Sequence, residues 1–182
     1  MSPDERALIE DLSARAAIES TLIAYCRAID RLDLELLRDC YAEKGTDDRG
    51  LFCGSADDLV PYVQEHVGRM EKTMHYLSNV TIEIDDARAR SSSYVLAFHR
   101  TRSRSARSGL RDHWVGARYL DAWVNEADGR WRIASRKVVW DWTRTSALGR
   151  TWQLPDEALL PARDRTDPSY AHLSDHVALR GA

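Results

Sequence analysis

No apolar run in the sequence approaches the roughly 20 residues that a membrane span requires. The opening stretch, Met1 to Asp11, is charged and lacks the apolar core of a secretory signal. A cytoplasmic protein with no membrane partner is expected. Positive charge is not in excess: 26 basic residues face 29 acidic ones, for a formal charge of −3. That balance excludes the basic surface by which proteins hold nucleic acid. Cysteine is scarce, and the three present (Cys26, Cys40 and Cys53) are odd in number and lack metal-ligand spacing. Neither a disulfide framework nor a metal site is expected. There is no Gly-rich phosphate loop, no G-x-S-x-G, no internal repeat and no low-complexity linker. What is present suits one compact globular domain: 182 residues, 43% hydrophobic and 30% charged. Six Trp and seven Tyr imply a well-filled core, a lined pocket, or both.

The first half reads helical and the second half as strands, the pattern of an α+β domain. Residues 5–30 form one amphipathic helix, with Leu8, Leu12, Leu22, Ile23, Cys26 and Ile29 at helical spacing. A short second helix fits Asp33 to Tyr41. Glu43 to Gly54 is rich in turn signals, with room for a short strand. Ser55 followed by Asp57 and Asp58 starts a third helix, a cap and then acids at the positive end of the dipole, running to about Met70. From Met74 the period changes to two. Met74, Tyr76, Val80, Ile82 and Ile84 alternate with His75, Leu77, Asn79, Thr81 and Glu83. Further strands follow over Arg88 to Arg100, His113 to Glu126 and Trp131 to Trp142, the last two joined by the hairpin signal Asp128-Gly129. Arg100, Arg102, Arg104, Arg107 and Arg111 read most simply as a solvated hairpin loop. Beyond Arg144 the period is lost, and Pro155, Pro161 and Pro168 indicate a wrapping tail. Three helices and a meander of long strands make a cone with a closed end and an open mouth, which encloses a small-molecule pocket.

Asp30 continues the apolar stripe of the first helix, where a carboxylate is partly buried unless it swings to water. His75 stands near the start of the first long strand. Its ordinary pKa suits a general acid or base, and a carboxylate neighbour would fix its tautomer. A lone strand histidine has an equally simple structural role. Tyr25 could donate to a developing oxyanion or serve as a core aromatic. His99 shares parity with Val95 and Ala97. Arg136 lies on an otherwise apolar face and needs a carboxylate or substrate partner, or a route to water. Tyr119, Trp123 and Trp140 are pocket walls or core residues.

Arg15-Ala16-Ala17-Ile18 leading to Tyr25 and Asp30, then Met74-His75-Tyr76-Leu77-Ser78-Asn79, then Gly129-Arg130-Trp131-Arg132-Ile133 and Arg136, resemble the SnoaL-like branch of the nuclear transport factor 2-like superfamily over about residues 8–143. Within that branch the chain is similar to the scytalone dehydratase, bile-acid dehydratase and hexachlorocyclohexane dehydrochlorinase families. The resemblance implies a cone-shaped α+β barrel over 1–145 and a C-terminal extension over 146–182 that wraps the domain or a neighbouring subunit. It implies a cofactor-independent lyase or isomerase of dehydratase type, with an Asp30–His75 dyad abstracting a proton from a hydrophobic, carbonyl-bearing ring compound such as a steroid or polyketide. Tyr25, His99 and Arg136 would complete the catalytic set, and Tyr119, Trp123 and Trp140 would line the pocket. Tyr25 stands where the dehydrochlorinases carry Lys, which argues against dehalogenation. A homotrimer is implied, or a dimer. Two other functions fit the same cone: a non-catalytic ligand-binding or assembly protein, and the small subunit of a ring-hydroxylating oxygenase.

Overall fold

The computed structural model describes residues 1–104, 109–147 and 154–177, with side chains through residue 173. Arg107 of the basic run lies outside the described residues. The chain opens with α1 (Pro3–Arg31), followed by α2 (Leu34–Asp39), β1 (Tyr41–Asp48), β2 (Cys53–Ser55) and α3 (Ala56–His66). Four long strands come next: β3 (Lys72–Asp85), β4 (Arg88–Arg102), β5 (Leu110–Asn125) and β6 (Trp131–Ala147). A last helix, α4 (Pro168–Val177), ends the described chain. The six strands form one curled, unclosed sheet in the order β2-β1-β6-β5-β4-β3. The fold is the expected α+β cone. Among the described residues no helix is long and apolar enough to cross a membrane.

Local chemistry sets the helix ends. Ser2 caps α1 in a reciprocal box with Glu5, and Pro3 occupies the first turn, where its missing N–H costs nothing. Ser55 caps α3 in the same way with Asp58, so that helix starts where the sequence placed it. At its other end α1 stops at Leu32, which takes a left-handed conformation (φ 51°). That turn lies two residues after Asp30, and α2 begins at Leu34 behind its cap Asp33.

The apolar stripe of α1 differs from the one read from spacing. Ile18, Leu22, Tyr25, Cys26, Ala28 and Ile29 are buried, whereas Leu8, Leu12 and Ile23 are more than half exposed. The helix overhangs the sheet at its N-terminal end, so only its last turns press into the concave face. Where turns were expected after residue 43, β1 is a full strand. It pairs antiparallel with β2 and parallel with β6, so Tyr41 sits beside Ile133 and Asp47 beside Arg136. The faces of β3 also depart from simple alternation. Thr73, His75 and Leu77 turn toward the helices, while Met74 and Tyr76 are about half exposed on the outer face. A register shift between Ser78 and Thr81, with Asn79 at φ 49°, then brings Ile82 inward.

Candidate active site

The end of α1 delivers a carboxylate to the start of the sheet. Asp30 Oδ1 lies 2.7 Å from His75 Nδ1, and Asp30 Oδ2 accepts the His75 backbone N–H at 2.9 Å. Both side chains are buried, His75 to 8% exposure and Asp30 to 12%. Burial alone would raise the Asp30 pKa. The hydrogen bond and charge of the His75 ring, its backbone N–H and the Thr73 hydroxyl outweigh that and hold it below the ordinary value. An ionised Asp30 places the imidazole proton on Nδ1 and leaves Nε2 as the basic nitrogen. Among the described residues Nε2 has no protein partner.

His75 opens onto a cavity of about 200 Å³ between α1, α3 and the sheet, walled by Ile29, Val67, Val95, Ala97, Val115 and Val138 among others. His99, two residues beyond Ala97 on β4, meets His75 edge to face with ring centroids 5.4 Å apart. Burial, then the neighbouring His75, pushes the His99 pKa down to about 4, so this ring is neutral at physiological pH. Tyr25, Tyr119 and Trp140 line the same cavity. Of the eight residues singled out from sequence, six therefore converge here.

Two do not. Arg136 pairs with Asp121 rather than Asp30, through two hydrogen bonds of 2.7 Å. Asp121 and Arg136 are direct partners across β5 and β6, so the fork closes on the nearest carboxylate. Its guanidinium lies under the site, 4.1 Å from the ring centres of both Tyr25 and Tyr119, and supports them without lining the cavity. Trp123 is core. β5 carries it past the cavity to a position beside Ala89 and Ile133, where its indole N–H donates to Ser91 Oγ at 2.8 Å. It borders instead a larger open depression of about 1050 Å³, whose rim includes Glu43, Lys44, Glu83, Asp85, Arg88 and Arg90. That depression holds none of the convergent titratable groups, and the smaller cavity is the candidate site.

Sequence reasoning missed Arg49. It sits on the hairpin tip between β1 and β2, donates from Nε and Nη2 to the two oxygens of buried Asp47 at 2.7 Å each, and reaches the Tyr25 hydroxyl from Nη2 at 3.0 Å. Tyr41 donates to the same carboxylate at 2.6 Å. The one available signal was the spacing Asp47-x-Arg49, which puts both side chains on one face of an extended chain. Against the expectation that no H-x-x-x-H spacing with a nearby carboxylate occurs, His172 and His176 stand four apart in the sequence with Asp175 between them; the His176 side chain lies outside those described. Among the described residues no group of three His, Cys, Asp or Glu could hold a metal ion.

Comparison with known proteins gives a consistent fold. The sequence model of the SnoaL-like domain matches residues 10–137. Curated protein sequences give no match. Similar solved structures include the hexachlorocyclohexane dehydrochlorinase LinA-type3 from Novosphingobium barchaimii, with TM-score 0.68, 17% identity, and coverage of 81% of this chain and 99% of that one. A protein assigned as a scytalone dehydratase from Novosphingobium aromaticivorans gives 0.64, 23%, 81% and 96%. The Kfla4162 protein from Kribbella flavida gives 0.67, 23%, 74% and 95%. At these identities the likeness concerns the fold, the nuclear transport factor 2-like cone.

Proposed function

Because the chain belongs to the SnoaL-like domain family, we propose that its cavity is the active site of a cofactor-independent lyase or isomerase of dehydratase type. The observation that carries this reading is the buried carboxylate–imidazole contact of 2.7 Å at the wall of an apolar cavity. A carboxylate on Nδ1 both orients the ring and stabilises the imidazolium that forms when Nε2 takes a proton. His75 Nε2 removes a proton α to a carbonyl. The electron pair moves onto the carbonyl oxygen as an enolate, which the Tyr25 hydroxyl stabilises by donating a hydrogen bond. Collapse of the enolate expels a β-hydroxyl, to which His75 returns the proton, so water leaves and a C=C bond remains. His99, held neutral, offers an N–H to the departing oxygen. The enclosing Val, Ile and aromatic side chains exclude bulk water and strengthen each of these contacts.

The test is turnover of cyclic β-hydroxyketones by wild type, H75A and D30N, followed by ultraviolet absorbance of the enone. His75→Ala is expected to lower kcat by about 10²- to 10⁴-fold, the usual span for a general base. Asp30→Asn preserves the shape of the pair and loses the charge that sets the imidazole tautomer, so kcat falls with little change in KM. Full turnover by His75→Ala overturns the assignment.

A further inference from the structure

A second part of the cavity wall, Tyr25 and Arg49, has its own chemistry. Tyr25 Oη accepts a hydrogen bond from Arg49 Nη2 at 3.0 Å, so its own proton must point elsewhere. Among the described residues no acceptor takes that proton, and both Tyr25 and Arg49 line the cavity. The Tyr25 ring is fixed on several sides: Tyr41 and Tyr119 meet it edge-on at 6.2 and 5.7 Å, and the Arg136 guanidinium lies 4.1 Å from its centre. A hydroxyl that accepts from a cation becomes a stronger donor at its other end. The pair therefore forms a relay, from guanidinium to phenol to whatever oxygen enters the cavity.

The charges around the relay restrict that oxygen. Arg49 is matched by Asp47, to which it is bound twice at 2.7 Å, and Arg136 beneath it is matched by Asp121. The His99 ring is neutral near pH 7, and His75 leans on an ionised Asp30. Among the described residues that line the cavity, Arg49 is the one Arg or Lys, and it is already matched, so a carboxylate or phosphate would meet no unmatched guanidinium or ammonium there; burying an anion without a partner is costly. Size restricts it further. The cavity of about 200 Å³ is little larger than the roughly 150 Å³ apolar cavity that takes up one benzene, and smaller than the roughly 300 Å³ at which drug-sized sites begin. One ring or two fused rings fit that space, and a four-ring nucleus would extend beyond it.

We propose that Arg49 is a specificity-determining positioning residue: by holding the Tyr25 hydroxyl with its proton toward the cavity, it selects an uncharged one- or two-ring ketone over the corresponding acid or oxygen-free ring. This deepens the proposed lyase or isomerase function and rests on it for the identity of the reacting proton. Arg49 acts through Tyr25 and need not touch the substrate.

Three probes of one ring size separate the possibilities: 2-tetralone, 2-naphthoate, and 1,2-dihydronaphthalene, which lacks oxygen. Binding is followed by quenching of Trp140, which lines the cavity and donates its indole N–H to the Arg49 carbonyl. Wild type is expected to bind 2-tetralone at least tenfold more tightly than either other probe. Arg49→Lys and Tyr25→Phe should each lose about tenfold for 2-tetralone and be unchanged, within twofold, for 1,2-dihydronaphthalene. The double variant should lose no more than the worse single one, because the two residues act in series. Tyr25→Phe leaves the Arg49–Asp47 pair in place, so the proposal is testable even if Arg49→Lys folds poorly. Equal losses for the oxygen-free ring would make Arg49 merely structural and overturn the proposal. Tighter binding of 2-naphthoate, or no binding of 2-tetralone, would also overturn it. Exchange of the ketone's α-hydrogens for deuterium reports the other reading separately. If His75→Ala binds 2-tetralone and exchanges as fast as wild type, the base assignment fails while the relay stands.

Discussion

Asp121 and Arg136 are fully buried side chains, and each is costly to hold there without the other. Burial pushes the Asp121 carboxyl up against the pull of Arg136, and the two short bonds keep the pair ionised. Arg136→Met is expected to destabilise the protein by about 3–5 kcal/mol, because it strands a buried carboxylate. Adding Asp121→Leu should restore much of that loss, and urea unfolding of the single and double variants measures both. His99 gives a pH signature at the same scale. Its pKa falls from 6.5 unfolded to about 4 folded, so the unfolded chain takes up the proton first as the pH drops. The stability it contributes is complete above about pH 6.5 and is lost progressively toward pH 4, by up to about 3 kcal/mol. Asp30, depressed in the fold, adds a further loss as the pH falls below its ordinary value of 3.8. His99→Asn should flatten the first of these slopes in thermal melts taken between pH 4 and 7, and an unchanged slope would place the titration elsewhere.

Among the elements, β1 shows where the sequence could and could not be read. β3 to β6 were legible because each has one face against the helices and one toward solvent, so period-two patterning survives. The Asp30–His75 pair came from the family resemblance and not from periodicity: spacing alone left Asp30 free to swing to water and gave His75 an equally simple structural role, because a helical stripe and a strand pattern do not say which of their ends meet. β1 hid because its inward residues include Asp47, whose burial makes sense only once Arg49 and Tyr41 are seen to satisfy it. Bulges hid the rest. On β6 the register skips at Ala134, which lets both Ile133 and Arg136 face inward although they are three apart. Gly45 marks a similar irregularity between Tyr41 and Thr46. A Cβ there would stand 2.9 Å from the Ile133 carbonyl oxygen and 3.0 Å from that of Ala42, both backbone atoms that cannot swing aside. Gly45→Ala is therefore expected to cost about 1–3 kcal/mol and to loosen the β1–β6 pairing. Because β1 leads directly to Arg49, the variant should also weaken ketone binding, which a titration at matched folded fraction would detect.

At the scale of the whole molecule, residues between Arg163 and Tyr170 bind the ends of elements that meet at the site. Arg163 donates to the Val67 carbonyl at 3.0 Å and to that of Met70, and approaches the Asp30 carbonyl at 3.5 Å and Thr73 Oγ1 at 3.4 Å. Around it, Asp167 pairs with Arg31 at 3.1 Å, and the Tyr170 hydroxyl donates to Asp33 at 2.8 Å. One cation thus ties the end of α1, the end of α3 and the start of β3, the three places that carry Asp30, the cavity rim and His75. Arg163→Met removes the side-chain donor to the Met70 carbonyl and the second donor to that of Val67, which keeps the Met70 N–H at 3.0 Å, at a cost of about 1–3 kcal/mol. Loosening should be local, since the sheet and the packed face of α1 do not depend on Arg163. Amide hydrogen exchange is expected to speed up over residues 67–75 and at the end of α1 while β5 keeps its protection. In the same variant kcat should fall more than KM rises, because the carboxylate and imidazole spend less time in contact. A uniform rise in exchange across the sheet, with kcat unchanged at matched folded fraction, would mean that this strap supports the fold and leaves the site untouched.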